Sequence, residues 1–180
     1  MEFSLVAIVF FLMFFGMLEL TRAMYIVNTL QEVTRRAAAL AANSDFSDAA
    51  AMREVRQRAI FRDAPGFLPF AEPVTDEHIV IDYMWIQRNG GTMTMVPIPS
   101  GSLPASPAAN FASCLGDPYS ENCIRLVRVR VCQAATADDC DPVEYRNLVS
   151  LVPFSFGLPE SLTIVAAETL GMPAGVPCPC

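Results

Sequence analysis

Cysteines are the residues whose number and spacing say most about chemistry in this 180-residue chain. Four of the six lie between positions 114 and 140. An even count with such crowding predicts disulfides and an oxidising compartment. Zinc binding is the alternative, but it needs closer cysteine pairs or partner histidines, and the chain has a single histidine. The disulfide candidates are Cys114, Cys123, Cys132, Cys140, Cys178 and Cys180.

The pairing of these cysteines stays open, because six cysteines allow many connectivities. Near neighbours in sequence give the simplest pairing, Cys114 with Cys123 and Cys132 with Cys140. The last two cysteines lie too close together for an easy mutual bridge, so one of them is expected to reach elsewhere.

Residues suited to catalysis or metal binding are sparse. His78 precedes a predicted strand with no nucleophile near it in sequence, and we interpret it as a surface residue. Asp138, Asp139 and Asp141 form an acidic turn without the ordered ligand spacing of a calcium loop. The sequence has no Gly-rich phosphate loop, Cys-X-X-Cys motif or nucleophile elbow. It therefore predicts no enzyme, no cofactor and no bound metal.

The charge is negative and unevenly divided. The net charge is −7, which argues against a nucleic-acid partner. Residues 1–62 hold seven arginines and six acidic residues, whereas residues 63–180 hold five arginines and thirteen acidic residues. The second part would repel anionic surfaces, so any membrane contact is expected from the N-terminal segment.

An apolar run extends from Phe3 to Leu18 and is interrupted only by Ser4. As a helix it is about 24 Å long, whereas the hydrocarbon core of a bilayer is about 30 Å thick. The run is too long for a cleavable signal peptide and has no basic residue ahead of it. It predicts a membrane helix of marginal length.

The arginines near this run pose a conflict. Arg22, Arg35 and Arg36 all follow it, and the positive-inside rule would place that side in the cytoplasm. The cysteines require the same side to be oxidising. A basic leader that is removed after insertion would resolve the conflict, so we expect processing near Met1.

The helix is predicted to continue beyond the apolar run, because no proline precedes Pro65. From Met1 to Ala42 it would be about 63 Å long. An apolar stripe with heptad-like spacing follows the run and suits a partner helix; an amphipathic helix on a domain core is the alternative. The stripe comprises Ile26, Leu30, Val33, Ala37 and Leu40.

The rest of the chain predicts a second helix and then strands. The second helix has Ser44 or Ser47 as its N-cap, and residues 64–73 form a Pro-containing boundary. Alternating patterns predict strands, and residues 97–122 predict a long loop. The predicted strands occupy 79–87, 92–95, 124–133, 148–156 and 162–170, with Asn89-Gly90-Gly91 turning the first pair.

These elements predict an α+β fold: a long N-terminal hydrophobic α-helix followed by a small globular head with an antiparallel β-sheet. The expected divisions are 1–43 for the membrane or filament-core helix, 44–63 for the second helix and 64–180 for a disulfide-bearing, β-rich head.

Three short motifs carry a resemblance to a known family. They are Glu2-Phe3-Ser4-Leu5, then Glu19-Leu20-Thr21-Arg22-Ala23, and then Tyr25-Ile26-Val27-Asn28-Thr29-Leu30-Gln31-Glu32. Together, over residues 1–42, they resemble the type IV pilin class, and most closely the TadE-like pilins of tight-adherence systems. In that family a glutamate and a phenylalanine open the apolar segment, and an acidic-to-basic step follows it.

The resemblance implies a structural pilin. Such a subunit is stored in the inner membrane, processed by a prepilin peptidase and passed by the assembly machinery into an extracellular helical filament of identical subunits. Glu2 would then face the α-amine of a neighbouring subunit, or else lie at the membrane interface and favour the helix N-terminus. Glu19 and Arg22 would pair along the helix or between subunits. Phe3 and the stripe complete the expected assembly residues.

Two other functions stay open from the sequence. One is a low-copy minor pilin that starts or caps a fibre. The other is a membrane-anchored periplasmic binding module that never polymerises.

Overall fold

The computed structural model describes residues 2–133, 139–149 and 155–172. A long helix opens the chain, and its second half packs against a second helix and a four-stranded sheet. This is the predicted α+β class, with the long apolar helix at the N-terminus. The elements are α1 (Glu2–Ala41), α2 (Ala49–Ala59), β1 (Phe67–Leu68), β2 (Ala71–Thr75), β3 (Ile79–Asn89), β4 (Thr92–Pro97), α3 (Pro107–Gly116), β5 (Leu126–Val131) and β6 (Leu162–Ala166).

The larger sheet is antiparallel throughout, in the order β4-β3-β5-β6. Tyr83 of β3 lies opposite Val127 of β5, which in turn lies opposite Val165 of β6. The β3–β4 hairpin turns at Gly90 and Gly91, whose φ angles of 55° and 109° are rare for residues with a side chain. The hairpin is the one that the alternating sequence pattern predicts. A separate two-stranded sheet pairs β1 with β2.

The core lies between the second half of α1, α2 and the sheet. Val127 and Val129 of β5 are fully buried, as expected for residues that alternate toward one face of a strand. Thr34 of α1 hydrogen-bonds Thr163 of β6 through their hydroxyls, at 2.9 Å. The core therefore joins α1 directly to the head.

The apolar stripe of α1 packs within the chain. Ile26, Leu30, Val33 and Ala37 are fully buried, and the half-buried Leu40 packs against the same core. α1 packs against both α2 and the sheet, which is the domain-core alternative left open from the sequence. A stripe of this width fits a helix of another subunit or the chain's own core, so periodicity alone did not distinguish them.

Three local features also differ from expectation. α2 has Asp48 as its N-cap, in place of a serine: its carboxylate accepts from the Ala50 N–H at 2.8 Å. The predicted long loop contains α3, which begins with Pro107 after the N-cap Ser106. The predicted boundary at 64–73 contains β1 and the start of β2.

Among the described residues, two disulfides join cysteines that are near neighbours in sequence, as predicted. Cys114 pairs with Cys123 and Cys132 pairs with Cys140. The first ties the end of α3 to the segment before β5, and the second closes the loop after β5. Cys178 and Cys180 lie outside the described residues, as does most of the predicted strand at 148–156.

Candidate functional site

The first half of α1 is largely uncovered by the part of the chain that the structure describes. Large side chains from Phe3 to Leu18 are exposed, by 87% at Phe3 and 41% at Leu12. Among the described residues, α1 is the one helix that is long and apolar enough to cross a membrane. Its apolar window has a mean hydropathy of 2.4 and only 6% of it is buried. α1 therefore has an exposed apolar half and a half covered by the head.

Glu19 marks the change between the two halves, and its side chain is only 2% exposed. Its Oε2 accepts from the Tyr145 hydroxyl at 2.5 Å. Its Oε1 accepts from the backbone N–H groups of Leu148 and Val149, at 2.7 and 2.8 Å. A buried carboxylate is costly unless such donors satisfy it. Glu19 thus fixes a distant loop of the head against α1.

Arg22 lies one turn further along α1 and fixes two segments of the head. Its Nε donates to the carbonyl of Phe70 at 3.0 Å, and its Nη1 donates to the carbonyl of Arg146 at 2.7 Å. The same Nη1 lies 3.8 Å from Oε2 of Glu19. The guanidinium also lies over the Tyr145 ring, 5.3 Å from its centroid.

Tyr145 is held in place by its own neighbours. Its ring stacks on that of Phe156 with the centroids 4.8 Å apart, and its N–H donates to the Phe156 carbonyl at 3.0 Å. Burial raises the pKa of the Tyr145 hydroxyl, and the hydrogen bond to Glu19 raises it further. The hydroxyl therefore stays protonated and donates to the carboxylate.

We call this cluster the Glu19 joint: the side chains of Glu19, Arg22 and Tyr145, with the backbone groups that they bind. Its charged groups are matched by donors and acceptors, so it orients the head on α1. Its one hydroxyl, that of Tyr145, is bonded to Glu19 and has a raised pKa, so both groups are used in structural contacts. Among the described residues, no group of three or more His, Cys, Asp or Glu side chains is placed to hold a metal ion.

The structure brings only part of the predicted assembly set together. Glu19 and Arg22 are neighbours, and within the chain both bind the head. Pairing between subunits stays a prediction. Glu2 and Phe3 lie at the far tip of α1, about 26 Å from Glu19 along the helix. The Glu2 side chain lies outside what the structure describes.

His78 also differs from the surface residue that the sequence indicates. It is half-buried, and its Nδ1 accepts from the Thr75 N–H at 2.9 Å. Burial lowers the pKa of His78 below 6.5, with the nearby Glu77 opposing that shift. The imidazole belongs to a short capping turn before β3.

Comparison with known families bears on the first helix. Residues 1–39 match the family described as TadE-like protein. The N-terminal segment is similar to this family. The match includes the apolar run, Glu19, Arg22 and most of the stripe, and it ends before α2. No curated protein and no solved structure gave a significant match. The segment points to a pilin-like tight-adherence component with an apolar helix suited to membrane anchoring.

Sequence reasoning missed the residues that complete the joint. Tyr145, Leu148 and Val149 lie more than a hundred positions from Glu19, and Phe70 lies 48 from Arg22. Periodicity and capping patterns report contacts within about one helical turn. Nothing in the local sequence around Tyr145 indicates a partner on α1.

Proposed function

We propose that this chain is a structural pilin subunit. It is held in the inner membrane through the first half of α1 and then packed, through the same half, into the core of an extracellular helical filament. The head decorates the filament surface. The TadE-like match over residues 1–39 supports this proposal, as does the shape of α1.

The exposure of the apolar run carries the proposal. Among the described residues, six consecutive large apolar residues from Phe10 to Phe15 are exposed on their own helix, with partial cover at Phe15. In water such a surface would cause aggregation. Lipid covers it before assembly and other copies of α1 cover it afterwards. The run is marginal for a permanent anchor, at about 24 Å against a bilayer core of about 30 Å.

The division of α1 limits which residues form the filament core. The stripe from Ile26 to Ala37 is used by the head, and the opposite face carries exposed Asn28, Glu32 and Arg35. Helix-to-helix packing between copies therefore uses Phe3 to Leu18, and the heads pack around it.

Glu2 lies at the tip of that run. In a filament core it has no water, so it pairs with a neighbour's amine or takes up a proton. Glu2→Gln keeps the shape and removes the charge, so it should reduce fibres while membrane insertion and head folding stay at the parent level. The measurement compares the amount of subunit in fibres with the amount in the membrane. Fibres at the parent level would show that the Glu2 charge has no role in assembly.

Electron microscopy of sheared surface material, with mass spectrometry of the fibres, tests the proposed function. A pilin is the main component of such fibres. A trace amount at fibre ends would indicate the minor pilin. A chain that stays in the membrane of fibre-producing cells and never enters a fibre would contradict the proposal and favour the anchored binding module.

A further inference from the structure

Exposed apolar side chains continue past the end of the apolar run, at the base of the head. On α1 they are Leu20 and Met24, which lie on one face of the helix because they are four residues apart. On the head they are Phe70, which is 80% exposed, and Leu148, which is 71% exposed. We call these four residues the apolar rim.

The Glu19 joint places the two head residues of the rim beside α1. The Leu148 N–H donates to Glu19, and the Phe70 carbonyl accepts from Arg22. The Phe70 ring also meets Tyr25 edge-on, with centroids 6.2 Å apart. Two loops that are distant in sequence therefore present large apolar side chains at the same level of the helix.

The backbone of Phe70 has a strained conformation. Its φ is 61°, a left-handed conformation that is a genuine outlier for a bulky residue. Such conformations concentrate at functional positions. Among the described residues, packing does not account for it, because Phe70 is 80% exposed.

The level of the rim matches the edge of a bilayer. The apolar run is about 6 Å shorter than a bilayer core, whereas a helix from Phe3 to Met24 is about 33 Å long. Tyr and Trp are enriched where hydrocarbon meets headgroups. Tyr25, which is 41% exposed, lies in the same turn of α1 as the rim.

We propose that the apolar rim rests in the headgroup region of a lipid bilayer while the subunit is stored in the membrane. The Glu19 joint then determines how closely the head approaches the lipid. This inference rests on membrane anchoring through α1, which is part of the proposed function, and does not depend on filament assembly.

Tryptophan fluorescence of the full chain in vesicles tests the proposal. Phe70→Trp and Leu148→Trp are made in a Trp85→Phe background, and the vesicles are phosphatidylethanolamine and phosphatidylglycerol brominated on the acyl chains near the headgroup. Both variants should lose most of their emission to bromine and shift to shorter wavelength. Leu148→Trp gives an independent reading, because Phe70→Trp could alter the strained turn at Phe70 itself. If Trp85→Phe loses the protease-resistant head, Trp85 is kept and its emission subtracted.

Two further variants serve as matched controls. Leu115→Trp places the probe on α3, where Leu115 is 59% exposed. The Cys114–Cys123 disulfide ties α3 to the segment just before Arg125, whose carbonyl accepts from the Ala167 N–H. The next residue, Glu168, donates its N–H to the Ala42 carbonyl, just after the C-terminal end of α1 and about 30 Å from Arg22 along the helix. This variant should stay unquenched. Phe11→Trp lies in the apolar run and should be quenched.

The outcomes separate the rim from the anchor. If the Trp at position 11 is quenched but those at 70 and 148 are quenched no more than the one at 115, the proposal for the rim is wrong and membrane anchoring stands. No quenching at 11 would overturn both. A third outcome is that bromine does not quench the Trp at position 70 but its emission changes with the protein-to-lipid ratio. That result would show that a second copy covers the rim, and it would also overturn the proposal.

Discussion

Glu19 shows how one residue can divide a helix between two environments. On its N-terminal side α1 exposes apolar side chains, and on its C-terminal side α1 is covered by the head. Its carboxylate is buried with the Tyr145 hydroxyl and two backbone N–H groups as donors. Hydrogen bonds to charged groups contribute more than neutral ones, so this residue is expected to matter for the stability of the head.

Replacing Glu19 tests that expectation. Glu19→Gln keeps the shape, removes the charge and leaves a donor amide near backbone donors, so it should lower the free energy of unfolding of the head by about 2–4 kcal/mol. Guanidinium unfolding in detergent micelles measures this. Glu32→Gln is the matched control, because Glu32 is in the same helix and pairs with Arg35 on the exposed face. It should change the free energy by about 0.5 kcal/mol or less. Equal effects would contradict a special role for Glu19.

His78 gives a pH-dependent prediction. Because burial lowers its pKa below 6.5, the folded state resists protonation. The stability from neutral His78 is complete above pH 6.5 and is lost as the pH falls through the lowered pKa. His78→Gln should flatten the loss of stability between pH 6.5 and that lower pKa. Unfolding midpoints of both proteins across this window measure the effect. Parallel pH curves would mean that His78 does not contribute.

At the scale of elements, sequence patterns predicted what depends on near neighbours. The unbroken α1 follows from the lack of proline before Pro65, and the β3–β4 hairpin follows from alternation around Gly90 and Gly91. α3 was missed because Pro and Ser are common in loops, although Ser106 followed by Pro107 is also a helix start. The partner of the stripe and the donors to Glu19 depend on contacts across the whole chain, which no local pattern reports.

The disulfide at the end of α3 is predicted to hold that helix in place. Replacing Cys114 and Cys123 together by serine removes the covalent link and leaves the Asn110 side chain bonded to the Ile124 N–H at 2.7 Å. The loss should be about 2–3 kcal/mol, since the closed loop is short. Limited proteolysis should then cut within residues 97–122 while β3 and β5 stay protected. Protection equal to that of the parent would show that α3 packs without the link.

At the scale of the whole molecule, α1 serves two sets of contacts at once. Its covered half gives the head a core that a small sheet with short helices would otherwise lack. Its exposed half remains for lipid or for other copies. In the proposed pilin, the subunit moves from membrane to filament with the head folded, because neither state needs the covered half of α1 to open.

Site-specific photo-crosslinking in sheared fibres tests this division of α1 most directly. A photoreactive phenylalanine analogue is placed at position 11, in the exposed apolar run, or at position 32, on the exposed polar face of the covered half. We expect α1-to-α1 links between subunits from position 11 and none from position 32. Links between α1 helices from position 32, with none from position 11, would contradict it.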